Sequence, residues 1–263
     1  MNPNGSYKKS SFGPAFFFLK KDQRRALADY YTFCRLADDI VDEPNRQAPQ
    51  AELNNLSQEI KLIYVGLPNT QLGKALIKDV AQFHIPENRF SLLLEGMQAD
   101  LDKKTYASFE ELDWYLYRVA VIVGKATLDI LGLTGPQADA LANHLGRAVQ
   151  LTNIVRDVYE DAKLGRVYLP CGLSATEVLE NPTALKEALL QATALAKQNY
   201  TRAFELMEEF WPLTILPCRI MGYIYQKNLA KIEEAGFLPT RTIKLTKFEK
   251  LRMVGYASFK TLF

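Results

Sequence analysis

The chain has 263 residues, is 48% hydrophobic and balances 32 Lys+Arg against 30 Asp+Glu, for a net charge of +2. That length supports a sizeable core, in one large domain or two small ones, and the balance excludes both disorder and a globally basic nucleic-acid binder. Three scattered cysteines (Cys34, Cys171, Cys218) and two histidines (His84, His144) offer no disulfide framework, thiolate zinc site or serine–histidine triad, so the chain suits a reducing cytosol and any metal must be held by oxygen.

Residues 12–19, behind Lys8 and Lys9, have the outline of a signal peptide, but Gly13 and Pro14 interrupt them, Lys20 and Lys21 follow directly, and no small-residue cleavage site is present. They read as core packing. The longest strictly apolar runs, 15–19 and 119–123, are five residues each, against roughly 20 for a bilayer-crossing helix. From Asp22 to Asp42, Leu27, Tyr30, Tyr31, Phe33, Leu36, Ala37, Ile40 and Val41 recur at spacings of three and four until Pro44 stops the run, which predicts a helix of about five to six turns. The same periodicity predicts helices over about residues 50–65, 71–83, 88–101, 109–133, 136–161, 182–210 and 213–235, with glycine and proline breaks between them. No alternating β-branched run bounded by a tight turn is present, and no repeat or linker divides the chain. The expectation is an all-α protein, residues 1–263 forming a single domain. Residues 163–173 (KLGRVYLPCGL) break the pattern: two glycines and a proline interrupt a short β-prone stretch directly after a helix, which reads as a flap or lid.

Two helical stretches carry chemistry. In YYTFCRLADDIVDE, Asp38 and Asp42 are four residues apart and share a face, and Arg35 and Tyr31 extend that stripe one and two turns earlier. In QLTNIVRDVYED, Asn153, Asp157 and Asp161 follow at successive steps of four, with Gln150 above them and Arg156 beside them. Like charges at this spacing weaken a helix by a few tenths of a kcal/mol each. Acidic helix faces can be merely solvated, but two such stripes, each with an arginine, invite a cation. Hard oxygen donors suit Mg²⁺, which takes one or two carboxylates and leaves its other positions to water and phosphate oxygens. With Arg35 and Arg156 it would make a diphosphate a leaving group.

These segments, with YRVAVIVG and QLTNIVRDVYEDAKLGRVYLP, resemble the squalene/phytoene synthase family of head-to-head prenyl transferases, and the likeness runs from KSSFGPAFFFL to GFLPTRTIKL. GMQADLDKKTYASFEELDWYLYRVA and GFLPTRTIKL are most similar to its bacterial branch that makes presqualene diphosphate for hopanoids. The resemblance implies an isoprenoid-synthase helical bundle whose central apolar cavity takes two farnesyl diphosphates. It implies two or three Mg²⁺ ions held by Asp38, Asp42, Asn153, Asp157 and Asp161. Tyr31, Arg35, Gln150, Arg156 and Tyr225 match positions that contact the prenyl diphosphate, and residues 8–11, including Ser11, and Arg241 match phosphate-contacting segments. Tyr117 matches a position that steers or deprotonates the carbocation, and residues 165–170 are placed to close over the metal and diphosphate. The family pattern is broken by Val121, where a small residue is usual and which is expected to reshape the cavity, by Tyr159 in place of a glycine, pointing off the ligand face, and by a shorter chain after Pro170.

Other signals are weaker. Arg241, Lys244, Lys247, Lys250, Arg252 and Lys260 against a single Glu249 make the C-terminal stretch either a peripheral anchor on the inner face of an anionic membrane or a solvated helix face. His84, His144 and Cys34 read as structural, and Asp100 and Asp102, two residues apart, are left out of the metal site. The implied reaction is condensation of two farnesyl diphosphates to presqualene diphosphate by a cytoplasmic enzyme. The alternatives are squalene synthase, which needs NADPH, dehydrosqualene synthase, phytoene synthase using geranylgeranyl diphosphate, or, in another class, a non-catalytic assembly or lipid-binding scaffold that has kept the fold. The sequence leaves the oligomeric state open.

Overall fold

The stripe of apolar residues at spacings of three and four is realised as α1 (Lys21–Asp42), which buries Ala26, Tyr30, Phe33, Ala37 and Ile40 and turns Arg35, Asp38 and Asp39 away from the core. A computed structural model of the chain describes residues 18–43, 46–102, 105–237 and 242–262. Along it follow α2 (Pro49–Tyr64), α3 (Gln71–Phe83), α4 (Asn88–Asp102), α5 (Phe109–Leu116), α6 (Ile122–Leu131), α7 (Pro136–Lys163), α8 (Ala175–Glu180), α9 (Lys186–Met207), α10 (Pro212–Glu234) and α11 (Lys247–Leu262). Helix is the regular structure of the described residues; the β-prone stretch contributes one isolated bridge, Val167 to Thr105. Local chemistry explains many boundaries. Thr70, Ser108 and Ser174 cap α3, α5 and α8 through their hydroxyls, and Pro136 and Pro212 occupy first-turn positions where a missing N–H costs nothing.

α7 runs through the middle, packed by α6, α9 and α10, and its 28 residues bury side chains around most of its circumference. The helix expected over 109–133 is divided: Tyr117–Val121 is a π turn between α5 and α6, a widening that often marks a functional stretch. Two glycines admit it. A Cβ on Gly96 of α4 would lie 2.6 Å from Val119 Cγ1, and one on Gly146 of α7 would lie 2.8 Å from Val121 Cα, so the π turn is pinched between two helices that have no side chain there. Two helices go beyond the periodic reading, α8 and α11, the first six residues long and the second, in the basic C-terminal stretch, bearing large apolar side chains on its outside. The helix expected over 182–210 opens with a 3₁₀ turn, Pro182–Leu185.

Candidate active site

Two contiguous chambers open between the helices. One, of about 300 Å³, is apolar: Leu27, Leu93, Met97, Leu141, Leu145 and Met221 are among its walls, with Val119, Ala120, Val123 and Gly124 from the π turn and the start of α6. The other, of about 630 Å³, is polar and takes in both acidic stripes. Tyr31, Arg35, Asp38, Tyr115, Gln150, Asn153 and Tyr225 line both chambers and form the wall between them. α1, α7 and α10 thus bring together the described residues of the two acidic motifs and the diphosphate-contact positions: Asp38 and Asp42 from α1, Asn153, Asp157 and Asp161 from α7, with Arg35, Arg156, Gln150, Tyr31 and Tyr225. Ser11, residues 8–10 and Arg241 lie outside the described residues.

Each stripe is tied to arginine. Arg35 donates to Asp38 at 2.9 Å and to Asp39 at 2.6 Å, Arg156 grips Asp157 through Nε at 2.9 Å and through Nη2, and Arg166 pairs with Asp42 and donates to the Val41 carbonyl at 2.7 Å. Arg166 reaches Asp42 because α7 ends in a glycine cap. Gly165 takes φ +79°, the Arg166 N–H returns to the Asp161 carbonyl (2.9 Å) and the Gly165 N–H to Ala162 (2.9 Å), which folds the next residues back over the acidic stripe. The segment expected to be a lid therefore stands over the polar chamber, with Arg166 and Tyr168 in its lining.

The carboxylates repel one another across the chamber. Burial, then the charge of Asp157, raises the Asp161 carboxyl to about 7; burial, then Asp42, raises Asp38 to about 6. Asp161 also feels Asp42 and Asp100, so the two stripes face each other as well as sharing a chamber. Asp100, set aside because it cannot share a face with Asp102, belongs here. It is buried, accepts from Tyr115 at 2.9 Å and from Tyr168 at 2.8 Å, and lines the polar chamber, while its carboxyl is raised to about 6 by burial. The rings of Tyr106, Tyr115 and Tyr168 lie against one another with centroids 5.1 to 6.0 Å apart. Asp102 itself lies on the outer side, bonded to Gln98.

Lys244 and Lys250, read only as part of a basic tail, also line the polar chamber; burial, then Arg156 and Lys244, lowers the Lys250 ammonium pKa. No spacing rule could bring them there, because α11 reaches the site by packing back along α10. Tyr117 lines neither chamber; its ring lies 5.8 Å from Lys125 Nζ, whereas Tyr115, two residues earlier, joins Tyr31 and Tyr225 in the dividing wall. Val121 is fully buried and its side chain is not part of the cavity wall, so the expected reshaping does not arise from it: its backbone lies against Gly146 while Val119, Ala120 and Val123 face the cavity. Tyr159 points off the ligand face, its hydroxyl donating to the Phe237 carbonyl at 3.3 Å. Cys34 lines the apolar chamber with its thiol held protonated by burial, which rules it out as a nucleophile. His144 bonds to Asn199 and His84 sits in a left-handed helix cap.

Among the described residues no three His, Cys, Asp or Glu side chains converge closely enough to hold an ion by themselves. The donor set nonetheless fits a divalent cation shared with a phosphate: hard carboxylates in repelling pairs, and the Asn153 side-chain oxygen, buried without a hydrogen-bond partner. An apolar chamber joined to a chamber of carboxylates and arginines suits a substrate with an anionic head and a long hydrocarbon chain, the class that isoprenoid synthases handle. The squalene/phytoene synthase family model matches residues 7–249, and the chain belongs to that family. It is 35% identical to the presqualene diphosphate synthase of Rhodopseudomonas palustris over 93% of this chain and 91% of that protein. It is 33% identical to the chloroplastic phytoene synthase 2 of Solanum lycopersicum, over 93% and 84%. A crystal structure of a dehydrosqualene synthase superposes with a TM-score of 0.83 at 27% identity, covering 98% of this chain and 94% of that one. The protein is a prenyltransferase of a divalent-metal-dependent family.

Proposed function

We propose that this chain, acting as one domain, condenses two molecules of farnesyl diphosphate head to head into presqualene diphosphate, releasing diphosphate. The observation that carries the reading is the shared wall. Asp38 and Asn153, one from each acidic motif, stand where the polar chamber opens onto the apolar one, so a prenyl diphosphate lying across it has its charged end among arginines and carboxylates and its chain among aliphatic walls. Asp38, Asp42, Asn153, Asp157 and Asp161 would hold Mg²⁺, two or three ions with the substrate, and the bound metal withdraws charge from the diphosphate to make it a better leaving group.

The remaining work falls to the chain's own residues. Arg35, Arg156 and Arg166 exchange carboxylate partners for phosphate oxygens, a geometry that guanidinium forks match, and Lys244 and Lys250 add charge from the far side. Gln150, Tyr31 and Tyr225 orient the diphosphate at the wall, and the family resemblance gives Ser11 and Arg241, outside the described residues, a part in binding phosphate. The apolar chamber keeps water from the allylic cation. Of the aromatic residues at the wall, Tyr115 is fixed by its bond to Asp100, and its ring can stabilise the cation by about 0.5–2 kcal/mol. Tyr117, away from both chambers, is given no part in the chemistry.

Incubation with farnesyl diphosphate and Mg²⁺, with and without NADPH, followed by mass analysis, tests the product. Presqualene diphosphate accumulating under both conditions supports the proposal; squalene formed with NADPH, dehydrosqualene formed without it, or turnover of geranylgeranyl diphosphate alone, replaces it. The last outcome is the second reading, favoured by the likeness to phytoene synthases. Asp38→Ala or Asp157→Ala is expected to abolish diphosphate release with the fold intact, and undiminished turnover in either would remove the mechanism and revive a scaffold role.

A further inference from the structure

The two sides of α11 are unlike. Inward, Ala257 is fully buried, Glu249 accepts from Lys231 at 2.8 and 2.9 Å, and Lys250 lines the polar chamber. Outward, Phe248, Leu251 and Phe259 are 70, 66 and 60% exposed, with the exposed Gly255 between the last two. These positions advance by three, four and four residues, so they form one stripe down a single helix face, about 16 Å long at 1.5 Å per residue. Isolated exposed apolar side chains need no explanation; three large ones in register on one helix do.

The border of the stripe is cationic. On the helical wheel Lys247 lies on one side and Arg252 and Lys260 on the other, all exposed, and the helix's single acid, Glu249, falls between the latter two but is paired with Lys231. A second copy of the chain is a poor match for this face, because a two-fold contact through it would set cationic borders against each other. An apolar stripe flanked by Lys and Arg, its one bordering acid paired with Lys231, matches instead the boundary of an anionic bilayer, where rings sit among acyl chains and ammonium and guanidinium groups among lipid phosphates. We propose that α11 is a peripheral membrane anchor that lies flat on an anionic lipid surface with Phe248, Leu251 and Phe259 inserted. Since the opposite face of the same helix borders the polar chamber, the anchor sets that chamber beside the bilayer.

The proposal does not depend on the reaction, because binding is read without substrate. The full chain is sedimented with vesicles of phosphatidylcholine alone or mixed with phosphatidylglycerol. It is expected to bind the mixed vesicles and to be released at about 1 M salt, where the Debye length is about 3 Å. Each basic residue at such a surface contributes about fivefold in affinity, so the Lys247→Ala, Arg252→Ala double variant should bind about 25-fold more weakly. Phe248→Ser with Phe259→Ser should lose binding to mixed vesicles while its thermal midpoint stays at the wild-type value. A wild-type chain that ignores the mixed vesicles, variants that bind as well as wild type, or a wild-type dimer that the Phe→Ser variant dissociates without any vesicle binding would each overturn the proposal.

Discussion

Replacing Gly146 by alanine tests how the π turn is held. Alanine is the better helix former by about 0.5–1 kcal/mol, so on propensity alone the change would stabilise α7. Against this, the new Cβ would lie 2.8 and 2.9 Å from Val121 Cα and N and 3.0 Å from the Ala120 carbonyl carbon, where ordinary contact starts at about 3.4 Å. All three are backbone atoms, so no rotamer change relieves them; α7 and the π turn must part by about half an ångström, and overpacking of this kind costs about 1–3 kcal/mol. The net expectation is a loss of about 1–2 kcal/mol. Gly255 provides the matching control: it is exposed on α11 with nothing within 4 Å of a Cβ, so Gly255→Ala should gain about 0.5–1 kcal/mol. Urea unfolding of both variants, monitored by circular dichroism, should separate them by about 2 kcal/mol, or about 4–8 °C in melting temperature for a domain of this size. Equal midpoints would mean that α7 does not pinch the turn.

Three further outcomes follow from the site and the core. Arg166→Ala should lower turnover about 10²–10³-fold by removing a charge-assisted donor at the diphosphate, with Arg166→Lys recovering part of it; wild-type turnover in the alanine variant would detach residues 165–170 from catalysis. Because burial and neighbouring carboxylates raise Asp161 to about 7 and Asp38 to about 6, and a metal ligand must be ionised, calorimetry should show Mg²⁺ affinity for the protein with pyrophosphate rising from pH about 5 to about 8 with proton release, then levelling; a flat profile would contradict the crowding of the stripes. Asp79, fully buried between α1 and α3, takes bonds from Arg25 to Oδ1 at 3.0 and 3.2 Å, and Asp29 stands beside it, so burial keeps a proton on the pair above the usual carboxylate range. The native state then binds more protons than the unfolded one from pH about 4 to about 6, so stability falls as pH rises across that window, and Asp79→Asn should make the slope shallower; an unchanged slope would refute the shared proton.

What the sequence disclosed depended on range. Features carried within one helix were legible: the faces of α1 and α7, the stripes on them and most glycine and proline breaks, because each is fixed by spacings of three and four. Features created by packing were not. Asp100 is silent in its own helix, since its meaning comes from Tyr115 on α5 and from Tyr168, 68 residues further along, in the segment folded back by Gly165. Tyr117, whose part is implied by the family resemblance, stands in the π turn and lines neither chamber, while Tyr115, two residues earlier, lines both, a difference that no spacing in YRVAVIVG signals. Val121 shows the same effect, with its side chain taken up by the core while its neighbours form the cavity wall.

The near-zero charge of the chain recurs within the site. Asp38, Asp42, Asp100, Asp157 and Asp161 line the polar chamber together with Arg35, Arg156, Arg166, Lys244 and Lys250, five acids against five bases. Three of the bases are already paired with aspartates of the two stripes, which offsets part of the penalty that like charges impose at i,i+4 on a helix. A chamber balanced in this way has little net attraction for either a cation or a diphosphate alone: a cation must displace arginines from carboxylates, and a diphosphate must draw arginines away from them. Together each supplies the partner that the other displaces, so binding exchanges ion pairs without leaving a charge unmatched in a site where unmatched charge is costly. On the proposed reading the arginines beside the aspartates would act in both directions, holding the stripes together before substrate arrives and turning to the phosphates once a cation is bound.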